Sequence, residues 1–177
     1  MNYISLGNHC VVADFLGKNG LRKCSYPFDW LEINLDGIFR YLTMLLIDKL
    51  PVELIVNDFL KHTNNFHNVT QEQLIRRFNK LYNIIYSKEK IIFIHISRFI
   101  CDATYYINKI IDMLYTINNN STFILINSVP IPSFIDDKFK NIVFLEYVDY
   151  PKEQCWVYDN TFFRSKCSSI ILNNLVS

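Results

Sequence analysis

Glycine is scarce in this chain, with four residues in 177. None of the four falls in a G-x-G-x-x-G or G-x-x-x-x-G-K pattern, so a dinucleotide or ATP site built on a glycine-rich phosphate loop is not indicated. The five cysteines, Cys10, Cys24, Cys101, Cys155 and Cys167, are odd in number and include no C-x-x-C pair. They read as reduced thiols rather than as a disulfide framework. No signal-type leader opens the chain, which makes a cytoplasmic setting the expectation. The apolar runs fall short of the roughly 18–20 residues that span a bilayer, so no membrane partner is expected. Formal net charge is only +1, which gives no reason to expect a nucleic-acid partner. Four histidines occur without H-E-x-x-H or other metal-ligand spacing, so neither a metal nor another cofactor is expected.

What is present is a globular composition, 50% hydrophobic and 15% aromatic, in a length that suits a single domain over residues 1–177. Four short, nearly continuous apolar segments read as buried strands: Tyr3–Leu6, Ile91–Ile96, Thr122–Asn127 and Ile142–Tyr147. Helical patterns lie between them. Val11–Lys18 stops at Asn19-Gly20, a C-cap pair, and Leu35–Lys49 ends before Pro51. Thr70-Gln71-Glu72-Gln73 is a capping-box start for a helix whose apolar stripe is Leu74, Phe78, Leu81 and Ile85. Asp102 is placed to cap a helix carrying Ile107, Ile110, Ile111 and Leu114, and Thr161–Asn173 reads as a last helix. Alternating strands and helices predict an α/β fold, three-layered, with a mainly parallel Rossmann-like or flavodoxin-like sheet. Residues 22–89 form a helical insertion or cap between the first two strands.

In such sheets a ligand sits beyond the carboxyl ends of the strands. That rule selects Gly7-Asn8-His9-Cys10 after the first strand, Ser97-Arg98 after the second, Asn127-Ser128 after the third and Val148–Tyr150 after the fourth. Cys10 stands at the start of a helix, where the dipole favours a thiolate; a buried, inert thiol is the plainer reading. His9 is placed to bond a ligand, and Arg98 to grip a phosphate or carboxylate or else a neighbouring loop. His62 and His67 flank a polar loop, and His95, inside an apolar strand, reads as a satisfied core histidine. Arg76-Arg77 reads as a solvated helix face. In Cys24-Ser25-Tyr26-Pro27-Phe28-Asp29-Trp30, Pro27 stiffens a segment whose large apolar rings flank one carboxylate. Asp29 there either caps the following segment or orients a histidine, and spacing leaves both open.

The stretches Ser5-Leu6-Gly7-Asn8-His9-Cys10-Val11-Val12-Ala13 and Leu21-Arg22-Lys23-Cys24-Ser25-Tyr26-Pro27-Phe28-Asp29-Trp30 resemble the DUF1796 family of bacterial and large-virus proteins, which carries a papain-like cysteine peptidase label. Phe66-His67-Asn68 is similar to its F-H-D segment, with asparagine in place of the usual aspartate. The resemblance implies Cys10 as nucleophile, His67 as base and Asp29 as orienting acid, and a host-cytoplasm or virion location if the chain is viral. A cysteine hydrolase or acyl transferase acting on a peptide or small-molecule substrate is therefore expected, with Gly7, Asn8, His9, Arg98 and Trp30 lining the substrate site. The alternative is a glycosyltransferase-like domain that binds a sugar nucleotide or phosphate at the same junction through Arg98. An interaction module without chemistry is a third possibility.

Overall fold

The computed structural model describes residues 1–7, 10–29, 33–63, 69–97, 103–127 and 142–146. Four strands form one sheet: β1 (Asn2–Ser5), β2 (Ile91–Ser97), β3 (Ser121–Asn127) and β4 (Ile142–Glu146). Every neighbouring pair is parallel, in the order β1-β2-β3-β4. Parallel neighbours need a crossover connection, and the described helices lie in those crossovers. Helices α1 (Cys10–Lys18), α2 (Leu35–Leu46), α3 (Val52–His62) and α4 (Gln71–Tyr86) lie between β1 and β2, and α5 (Ala103–Ile117) lies between β2 and β3. The α/β class and the parallel sheet stand as expected. The described strands run in sequence order, without the reversal that marks a Rossmann or flavodoxin sheet.

Side-chain alternation along the strands explains how the core is shared. Ile4, Leu6, Ile91, Phe93 and Phe123 join one apolar cluster with the inner stripes of α2 through α5. The alternate strand positions Tyr3, Ile92, Ile94 and Ile124 are also buried but stand outside that cluster. So do Val12, Ala13, Phe15 and Leu16 of α1. β1 and β2 are thus buried at successive positions, which is why their sequences read as continuous apolar runs.

The helix ends follow local chemistry. Thr70 accepts the Gln73 backbone N–H at 3.2 Å, and the Gln73 side chain accepts the Thr70 backbone N–H at 3.0 Å, completing the expected capping box. Helix α1 closes at Gly20, whose φ of +67° lets the Leu21 and Arg22 N–H groups turn back onto the Leu16 carbonyl at 2.9 and 3.0 Å. Helix α3 has no counterpart among the expected helices. Its apolar face is only Ile55, Val56 and Phe59, set between Pro51 and a polar stretch. The expected helix over Thr161–Asn173 and the edge residues Val148–Tyr150 lie outside the described residues.

Candidate active site

Residue Gly7 leaves β1 with a φ of +72°, a left-handed backbone that glycine adopts without strain. It also has no room for a side chain. A Cβ at Gly7 would stand 2.4 Å from Ile33 Cγ2 and 3.6 Å from both the Phe28 Cβ and its carbonyl oxygen. The glycine therefore lets two segments distant in sequence meet: the turn after β1 and the Tyr26–Asp29 turn with Ile33 beyond it. Ile33 presses on Gly37 as well, where a Cβ would lie 2.9 Å from Ile33 Cγ1. The junction after β1 is in this way wedged against the entrance to α2.

The Tyr26–Asp29 turn is held from both ends. Phe28 is fully buried and meets Phe78 edge-on at 6.1 Å and Phe59 at 6.4 Å, so its ring is fixed among α3 and α4. Asp29 is 3% exposed. Its Oδ2 accepts the Tyr26 backbone N–H at 2.9 Å and pairs with the Arg22 guanidinium at 3.0 Å. Both contacts fall on Oδ2, and among the described residues none is made at Oδ1. Burial pushes the Asp29 carboxyl upward, opposed by the Tyr26 N–H and by the charges of Arg22 and Arg77. Arg22 also donates to the Ser25 hydroxyl, which ties the segment to the end of α1.

Arg77 belongs to this cluster, contrary to the expectation of a solvated pair. Arg76 is exposed, but Arg77 is half-buried, and burial lowers its pKa while Asp29 opposes that shift. The signal was present in the periodicity. Position 77 is three residues after Leu74 and four before Leu81, so it borders the buried stripe of α4. Arg22 lies within the Leu21–Trp30 stretch, where the sequence alone assigns it no partner. Its function emerges only once the turn brings Asp29 back to it.

Histidine 95 sits on β2 beside the same junction. Its Nδ1 lies 3.0 Å from the carbonyl oxygen of Leu6, the residue before Gly7. A carbonyl only accepts, so Nδ1 carries the proton and Nε2 holds the lone pair. The expectation of a satisfied core histidine is met at one nitrogen. The other, Nε2, is buried with no partner among the described residues. Complete burial lowers the imidazole pKa to about 4, so the ring is neutral at pH 7.

Cys10 is the first residue of α1, and its backbone stands three residues beyond Gly7 at the carboxyl edge of β1. Register places the ends of the other strands along the same edge, with Ser97 opposite Asn127 and Asn127 opposite Glu146. Asn8, His9, Trp30, His67 and Arg98 lie outside the described residues. The structure therefore brings together Gly7, the α1 start at Cys10 and the Asp29 turn. His62 is the last residue of α3, where its Nδ1 lies 2.9 Å from the Asp58 carbonyl oxygen. No three His, Cys, Asp or Glu side chains cluster as metal ligands among the described residues.

The class these features define is a parallel α/β domain with a cysteine-initiated helix at the carboxyl edge of its first strand. Residues 1–46 match the model of a family described as "Putative papain-like cysteine peptidase (DUF1796)". The matched segment runs from β1 through the end of α2 and contains both Cys10 and Asp29. Searches of curated proteins and of solved structures returned no match.

Proposed function

We propose that this chain is a cysteine-dependent hydrolase or acyl transferase of the peptidase-like kind. Cys10 is its nucleophile, His67 its base and Asp29 its orienting carboxylate. One observation carries the reading: Cys10 begins α1 at the carboxyl edge of β1, within the segment that matches the peptidase family. The partial positive charge at a helix start favours the thiolate, which is the attacking form. The sulfur adds to the carbonyl carbon of an amide or ester, and the electron pair moves to the oxygen. N–H groups at the start of α1, with Asn8, stabilise that oxyanion. Collapse expels the leaving group, which takes its proton from His67, and water or another acceptor then releases the acyl group from sulfur. Asp29 has Oδ2 committed to Arg22 and Tyr26 and keeps Oδ1 for an imidazole N–H. His9, Trp30 and Arg98 contact the substrate, and residues 22–89 close one side of the cleft.

The alternative, a phosphate or sugar-nucleotide site, asks Gly7 to admit a phosphate to its backbone. The space that its missing Cβ leaves is taken by Ile33 instead, which favours the thiol reading. The test is iodoacetamide labelling of the full chain across pH, followed by mass spectrometry. Cys10 is expected to react faster than Cys24, with a midpoint below the ordinary thiol value of about 8.5. His67→Ala is expected to lower turnover of a responding peptide or thioester by roughly 100-fold or more. Activity that survives Cys10→Ala would sink the proposal. A nucleotide-sugar thermal shift that Arg98→Ala abolishes and Cys10→Ala leaves intact would transfer the site to the alternative.

A further inference from the structure

Charge beside the junction that carries Cys10 is unbalanced. Asp29 supplies one buried carboxylate, and two guanidiniums gather at it. Arg22, with a side chain 16% exposed, makes the direct contact at 3.0 Å. Arg77 adds a second, half-buried cation from α4. The charges that act on Arg77 are Asp29 in its favour and Arg22 and Arg76 against it, so cations outnumber anions in this group. Packing fixes the place of the cluster independently. Phe28, the residue before Asp29, meets Phe78, the residue after Arg77, with ring centres 6.1 Å apart. The backbone of the same Phe28 stands against Gly7, three residues before Cys10.

We infer that the thiol site prefers acyl substrates that carry a carboxylate near the bond to be broken, and that Arg77 is the residue that sets this preference. The inference rests on Cys10 as the nucleophile. Asp29 cancels one of the two guanidiniums, and the second is the surplus. A charge held partly out of water is less screened than one in solvent, so Arg22 and Arg77 project more field than the exposed Arg76. Asp36, in the first turn of α2, opposes them but is exposed and screened in the same way. The start of α1 adds a partial positive charge of its own. A positive field draws anions toward the junction and repels cations without any direct contact. The chain as a whole carries a formal net charge of only +1, so the preference belongs to this place and not to the molecule at large.

The test compares two alkylating reagents of the same shape, iodoacetate with a carboxylate and iodoacetamide without charge. Their rates at Cys10 are measured in the full chain by mass spectrometry, and their ratio is divided by the same ratio for 2-mercaptoethanol. Taking the ratio cancels the thiolate fraction, so what remains is the effect of the site on the charge of the reagent. At low salt the normalised ratio is expected to favour iodoacetate by roughly threefold or more. Raising the salt from about 0.01 M to about 0.5 M is expected to erase most of that preference. Arg77→Gln is expected to bring the ratio close to one, and Arg77→Lys, which keeps the charge, to preserve it. A Cys10 that reacts with both reagents without preference, or whose preference survives Arg77→Gln, overturns the inference alone. A Cys10 that reacts with neither reagent overturns the hydrolase reading, and the inference with it.

Discussion

Gly7 and Asp29 show how much of this site rests on single residues. A Cβ at Gly7 meets both a left-handed backbone and a methyl group at 2.4 Å. Gly7→Ala is expected to cost about 2–4 kcal/mol, the sum of left-handed strain and overpacking. Gly20 has a similar φ of +67° and open space around it, so Gly20→Ala isolates the backbone part, about 1–2 kcal/mol. Chemical denaturation of the two variants checks the difference, and adding Ile33→Ala is expected to recover part of the Gly7→Ala loss. At Asp29 the paired side chains are 2% and 16% exposed, so truncating the carboxylate takes from a largely buried guanidinium its ion-pair partner and from the Tyr26 N–H its acceptor. Asp29→Ala is expected to cost about 3–5 kcal/mol. Asp29→Asn, which still accepts the Tyr26 N–H, is expected to cost about 1–2 kcal/mol, because burial already disfavours the carboxylate. Equal losses in the two variants would show that the charge, not the turn, is what matters.

At the scale of the element, β2 and α4 carry the clearest consequences. The His95 pKa falls from about 6.5 in the unfolded chain to about 4 in the folded one. Between those values the unfolded state binds more protons. The contribution is therefore complete above pH 6.5 and is lost as pH falls toward 4, by about 3 kcal/mol in all. Denaturation midpoints measured from pH 7 to pH 4 are expected to show this slope, and His95→Asn is expected to lose it. Thr70→Ala removes one half of the capping box and is expected to cost about 1 kcal/mol, read as a lowered Tm. The box was legible because all of its chemistry lies within four residues. The strands were legible because burial on both faces writes an uninterrupted apolar run. Helix α3 was not, since it needs only three inward side chains and a proline starts it. Arg22 and the tautomer of His95 were hidden for another reason. Their partners, Asp29 for the guanidinium and the Leu6 carbonyl for Nδ1, are brought to them by the tertiary fold.

At the scale of the whole molecule, the number and direction of the described strands and the α/β class could be read from the order of apolar runs and helical stripes. The strand order could not, because continuous burial marks a strand as interior and says nothing of its neighbours. The site was half legible. The rule that ligands gather at carboxyl edges located the Gly7–Cys10 junction, whereas the wedging of Gly7 against Phe28 and Ile33 depends on contacts between separate elements. The pairing of β1 also has a kinetic side. Its described ladder joins Asn2 to Ile91 and Ser5 to Ile94, and the His95–Leu6 bond spans 89 residues. Loops of that length are costly to close, so contacts of this kind form late, after the helices that lie between them. Ile4→Val is accordingly expected to speed unfolding and to leave the folding rate almost unchanged, a φ-value near zero in stopped-flow chevrons. The junction that presents Cys10 would then take shape only after the helices between β1 and β2. Any chemistry at that cysteine would be withheld until β1 has joined β2.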